Sequence, residues 1–129
     1  MRQLHFKSRV LGPKATERLK AHQVTQTLRS PNSSIVKVLP EGKVDIGDLV
    51  EVTLDGDIIG HAEWVYMDAV TWSELDIDDA RRGGFDNRFE MAYALKRAGY
   101  RFRGLDEYEF YRIQFTWRED YAKEGESGN

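Results

Sequence analysis

Apolar and polar residues alternate over several short stretches of this chain and recur at helical spacing in others. Residues 3–7 alternate and predict a first strand. Gly12-Pro13 opens a helix with proline in its first turn, Ala15 and Leu19 share one side, and the helix is expected to end near His22. Residues 24–29 follow as a strand. Val24, Gln26 and Leu28 share one of its faces, and Thr25, Thr27 and Arg29 share the other. Residues 30–34 form a turn cluster, and residues 35–39 suggest a short strand. Gly47-Asp48 then leads into a strand at residues 49–54. Asp55-Gly56-Asp57 is a tight hairpin, and residues 58–72 return as a long strand. Residues 73–82 read as a helix broken by Gly83-Gly84. Asn87 with Glu90 three residues later resembles a capping box for a helix over residues 87–98, with Phe89, Ala92, Tyr93 and Lys96 lining one side. Residues 108–117 make the last strand, with Tyr111, Ile113, Phe115 and Trp117 on one face. This order of elements predicts an α+β fold, a small β-barrel with helices packed at one side.

Composition narrows the class. With 129 residues, 40% hydrophobic and 32% charged, the expected organisation is one domain over residues 1–118 and an acidic, disordered tail over 119–129. No apolar run approaches the roughly 18 residues of a membrane span. The N-terminal residues lack the apolar core of a signal peptide, and the chain has no cysteine, so a cytoplasmic location is expected and thiolate metal sites are excluded. His5, His22 and His61 are scattered without ligand spacing, so no metal site is expected. No glycine-rich phosphate loop or nucleophile elbow is present, and no cofactor is implied.

The net charge of −3 hides strong segregation. Residues 1–43 hold nine Lys or Arg against two acids, residues 44–80 hold eleven acids and no Lys or Arg, and residues 81–118 return to a balance of +4. Two readings stand side by side: complementary blocks that fold against each other or face water, and a basic face for a polyanion.

Three segments in this order, "TLRS" after a helix, "VDIGDLVEVTLDGDIIGHAEW", and "SELDIDDARRGGFDNRFEMAYAL" leading to "FYRIQF", resemble the ASCH domain of the PUA-like superfamily. Gly47-Asp48, Ala62, Gly84-Phe85, and Ile113 with Phe115 stand at that family's pattern positions, over roughly residues 15–118. The resemblance implies a small PUA-like β-barrel with a cleft between barrel and helices. It also implies binding of RNA and, for some bacterial members, hydrolysis of the amide of 4-acetylcytidine. The family signature before the cleft reads Gly-x-Lys-x-x-Glu-x-Arg, with Thr for Glu in the amidohydrolases. Counted back from Arg29, those positions are His22, Val24, Thr27 and Arg29. Threonine and arginine are retained, whereas glycine and lysine are not. At the position of the family's second carboxylate, before the Gly-Phe turn, stand Arg82 and Gly83.

These departures direct the functional reading. Val24 has nothing to ionise, so the enzyme reading is disfavoured, though Lys20, His22 or Asp79 could stand in from neighbouring positions. The candidate ligand- or RNA-binding residues are Thr25, Thr27 and Arg29 on the cleft-facing strand edge and Arg81 and Arg82 in place of the lost acid. Arg101 and Arg103, beside Tyr100 and Phe102, complete the set. Hydroxyls donate and accept, and a guanidinium offers a planar fork of donors to phosphate or a base edge. The opposing reading makes Arg29 a tie to an acid of the 44–80 block, and sets Tyr100 and Phe102 under a loop. Trp64 is expected in the core, and Trp72 is expected in the core with the cleft wall as its alternative. Three functions follow: an RNA- or nucleotide-binding module, a small hydrolase acting on a modified nucleoside or RNA with rearranged residues, and a protein-interaction module using the acidic block. The oligomeric state is open.

Overall fold

A computed structural model describes residues 1–33, 35 and 47–120. Its centre is one five-stranded sheet of β1 (Arg2–Phe6), β2 (Gln26–Arg29), β3 (Leu49–Leu54), β4 (Asp57–Val70) and β5 (Phe110–Trp117), in the order β1-β3-β4-β5-β2. β1 runs parallel to β3, and the other neighbours are antiparallel. Four α-helices are found among the described residues: α1 (Ser8–Leu11), α2 (Pro13–Lys20), α3 (Ile77–Arg82) and α4 (Arg88–Arg97). The architecture is mixed α+β. The expected barrel is a curled half-barrel, because among the described residues no ladder joins the two edge strands β1 and β2. Of the expected strand at 35–39 only Ile35 is described, and residues 36–39 and the tail from 121 onward lie outside the described residues.

The hairpin between β3 and β4 follows from two residues. Asp55 and Gly56 take φ of 51° and 92°, the pair of left-handed conformations that lets a two-residue turn match the strand twist. The Asp55 carboxylate then accepts from the Ser8 hydroxyl at 2.6 Å and its amide at 2.9 Å, which ties the turn to α1 and holds its carboxyl below the ordinary range.

Two apolar clusters fill the fold. Leu4, Val24, Val50, Val52, Trp64, Ile113 and Phe115 are essentially inaccessible and pack in one cluster with Leu19 of α2. Val70, Leu75, Met91, Leu95, Leu105 and Phe110 form the second cluster under α3 and α4, where Trp72 is also packed. Phe85, after the two glycines, packs against both clusters.

Two expected elements change and one is added. The helix expected from Gly12-Pro13 is α2, and a short helix that was not expected, α1, precedes it across Gly12 at φ 82°. The helix expected over 73–82 is a 3₁₀ turn, Trp72–Glu74, followed by α3, because the Asp76 side chain accepts from Asp79 N–H and starts a new helix there. In α4 the buried residues are Met91, Ala92, Ala94 and Leu95, so of the four residues expected on one side only Ala92 is inside. Two stripes at helical spacing compete on this helix. The aliphatic one meets the core, and Phe89 and Tyr93 are left outside.

Candidate functional site: a cavity between the two edge strands

Curling of the sheet brings its edges to opposite walls of one cavity of about 360 Å³. His5, Phe6 and Lys7 come from the end of β1, and Gln26 to Ser30 come from β2 and the turn after it. Phe85, Leu95 and Tyr100 close the helical side. Arg29 spans the gap, with its guanidinium 4.9 Å from the Phe6 ring centroid.

The arginine is fixed by its own strand. Its Nε donates to Thr27 Oγ1 at 3.1 Å, an i,i+2 contact that the pleat of β2 provides because both side chains leave the same face. Among the described residues, no carboxylate pairs with it and no acceptor meets its terminal nitrogens. Although part of the residue reaches the surface, the charged end is deeply desolvated. That burial pushes its pKa down to about 10, against a smaller effect of Tyr100 that raises it. Guanidinium therefore stays protonated at neutral pH as a cation with little water and no described counter-ion. The Ser33 hydroxyl, on the same wall, is buried with no partner among the described residues. Desolvation raises the Tyr100 phenol above its ordinary value, against smaller opposing effects of Ser30 and Arg29.

Below the cavity lies a satisfied polar network. Gln114 Nε2 donates to Gln26 Oε1 at 2.9 Å, and Gln26 Nε2 donates to Asp79 Oδ1 at 3.1 Å. Arg112 bridges Asp79, at 3.1 Å, and Asp68, which it grips through Nε at 2.8 Å and Nη2 at 2.6 Å. Asp76 N–H donates to Asp79 Oδ2 at 2.9 Å. Burial alone would raise the Asp79 pKa. The Asp76 amide, Gln26 and Arg112 outweigh it and hold this carboxyl below the ordinary range. Asp79 is thus a carboxylate locked on both oxygens at the cavity floor.

The sequence-predicted residues divide accordingly. Thr27 and Arg29 line the cavity, but Thr25 does not. On the other face Val24 and Gln26 are buried and Leu28 packs against the second cluster, while Gln26 and Leu28 also border the cavity. Arg81, Arg82, Arg101 and Arg103 are exposed and lie outside the lining. Arg82 reaches Asp79 at 3.5 Å, and Arg101 bonds the Tyr108 hydroxyl. Of the three stand-ins for catalysis, Asp79 is at the cavity. Lys20 pairs with Glu17 on α2, and His22 stacks on Trp117 with ring centroids 3.8 Å apart and bonds Glu119 and Ile59 O. Tyr100 packs against the second cluster, whereas Phe102 is exposed. No group of three potential metal ligands occurs among the described residues.

Sequence reasoning did not anticipate the β1 wall of His5, Phe6 and Lys7. Its one signal was the basic run Lys7-Ser8-Arg9 after a strand, uninformative until the sheet curls. Part of the acidic block is engaged from within the molecule. Arg2 pairs with Asp48, Arg112 with Asp68 and Asp79, and Arg118 with Glu63. No helix among the described residues is long and apolar enough to cross a membrane.

No protein-family model matches the chain, and no curated protein matches it by sequence. Solved structures do. An ASCH domain from Lactobacillus crispatus JV V101 matches with a TM-score of 0.55 at 15% identity, over 80% of this chain and 69% of that one. A protein from Enterococcus faecalis V583, of the family DUF984, matches with a TM-score of 0.57 at 15% identity, over 91% of this chain and 80% of that one. At this identity the likeness speaks for the fold, and the chain has the fold of an ASCH domain.

Proposed function

We propose that this protein binds RNA or a nucleotide in the cavity between β1 and β2, with an anionic group of the ligand on Arg29. One observation carries the reading: Arg29 is a desolvated cation, oriented by Thr27, beside about 360 Å³ of space and without a described counter-ion. An isolated buried charge is costly, and an incoming phosphate would supply the missing partner through charge-assisted hydrogen bonds. Phe85 and Tyr100 offer apolar and aromatic surface for a base or sugar on the helical side.

The hydrolase reading finds less support. The position that the amidohydrolases fill with lysine is Val24, fully buried, with its carbonyl accepting from Trp117 Nε1 at 2.7 Å. Asp79 is ionised and engaged on both oxygens, so it is poorly placed to move a proton. The purified protein is expected to leave 4-acetylcytidine unhydrolysed in a product assay, and substantial turnover would return the catalytic reading.

Titration of the protein with single-stranded RNA and with a nucleoside monophosphate tests the proposal. Arg29→Ala should weaken binding by roughly 1–3 kcal/mol, the range for a charge-assisted contact. Unchanged affinity in a folded Arg29→Ala protein would remove the proposal.

A further inference from the structure

The outer face of α4 carries two aromatic rings, and the loop after it a third, that neither core cluster uses. Phe89 and Tyr93, one helical turn apart, have centroids 4.8 Å apart, and Phe102 joins them at 6.3 Å and 5.3 Å. They are 61%, 40% and 41% exposed. Tyr100, two residues from Phe102, turns inward onto Tyr108 and Phe110 at 5.0 Å from each, so an inward alternative existed in this same segment. The three outer rings meet edge-on at 76° and 81° and tilted at 43°, none of them stacked on another.

We propose that Phe89, Tyr93 and Phe102 form a stacking platform for unpaired bases of a single-stranded RNA whose phosphate is held at Arg29. The inference rests on the binding reading above and extends it from a nucleotide to a strand. Charge selects the occupant. Lys96, Arg101 and Arg103 are exposed on the same segment and make no ion pair among the described residues. The nearby acids Asp86 and Glu90 are already held by Lys14 and Arg18, which leaves Asp106, Glu107 and Glu109 after the segment, with Glu107 beside Arg101. Aromatic faces among unpaired cations suit bases and phosphates together. A second copy of the chain would instead bring Lys96, Arg101 and Arg103 against their equals.

Continuity supports a strand as well. A second cavity, of about 360 Å³, is lined by Tyr93, Arg97 and Lys14, and it shares Leu11 and Phe85 with the Arg29 cavity. The two cavities therefore adjoin at Leu11 and Phe85, and the second extends to Tyr93.

Two probes separate the subsites: uridine monophosphate, and an oligouridylate of about ten nucleotides, within the span of single-strand sites. Phe89→Ala, Tyr93→Ala and Phe102→Ala should each weaken oligouridylate binding roughly tenfold and leave monophosphate binding unchanged. Their thermal unfolding should stay near wild type, since the rings are exposed. Arg29→Ala should weaken both probes. Oligouridylate affinity unchanged in the ring variants, or equal losses for both probes, overturns the platform. So does a wild-type dimer, seen by sedimentation, that the ring variants dissolve without loss of RNA affinity. If the ring variants act as expected while Arg29→Ala binds both probes normally, the platform stands and the Arg29 reading falls. A wild-type protein that binds neither probe removes both.

Discussion

Arg29 lies in a setting that folding alone does not favour: a partly desolvated guanidinium, resting on the Phe6 ring, with no described carboxylate beside it. Such a residue separates stability from binding. Arg29→Met keeps the length and much of the volume and removes the charge. It should leave the thermal midpoint unchanged or raise it, while RNA or nucleotide binding is lost. A marked fall in the midpoint would restore the idea of a structural tie. A second residue shows how context licenses an unusual choice. His22 takes φ 59°, a left-handed conformation that suits the glycine standing here in the ASCH signature. Stacking on Trp117 and bonds from both ring nitrogens hold the histidine in that conformation.

Two junctions hold the secondary-structure elements around the cavity. At the start of α3, Asp79 ties β2, β5 and its own helix cap into one network. Because its folded pKa lies below the unfolded one, its contribution is fully present above the unfolded carboxylate value of about 4 and fades as pH falls through the folded value. Asp79→Asn should cost about 3 kcal/mol at neutral pH, since it leaves Gln26 and Arg112 short of a buried partner. Urea midpoints measured near pH 7 and near pH 3 should differ less in the variant than in wild type, and an equal acid loss in both would refute the role. After α3, Gly84 sits at φ 95°, where a Cβ would lie 2.9 Å from Val24 Cγ2 and 3.3 Å from Ala15 Cβ. Gly84→Ala therefore combines backbone strain with overpacking between α2 and β2. It should cost about 2–3 kcal/mol by chemical denaturation, and a neutral outcome would mean that this junction yields.

Across the whole molecule, the segregation of charge along the sequence translates only partly into surface. Arg2, Arg112 and Arg118 fold onto the acidic stretch and neutralise part of it. Arg29, Lys96 and Arg103 remain without described carboxylate partners, on the cavity and α4 sides. RNA affinity should accordingly fall with salt. Lys96→Ala or Arg103→Ala should reduce the slope of log affinity against log salt by about one each. Arg81→Ala and Arg82→Ala, whose residues lie outside the cavity lining, should weaken binding less than Arg29→Ala. A steeper loss from Arg81 than from Arg29 would move the interface to the end of α3.

Local patterns fixed most of the strands and their turns. Alternation marked β1, β3 and β5, and Asp55-Gly56 declared its hairpin, because a period of two and a left-handed turn are decided within a few residues. The polar edge of Thr27 and Arg29 was likewise legible, since a core-facing strand position rarely takes a guanidinium. What no local pattern held was the partner of that edge. His5, Phe6 and Lys7 reach Arg29 only because the sheet curls until its two edge strands oppose each other, a consequence of five-strand pairing over long sequence separations. The same holds for α4, where two stripes were equally helical in sequence. The stripe that faced inward was set by the apolar cluster waiting beneath it, and the aromatic stripe was left to the solvent.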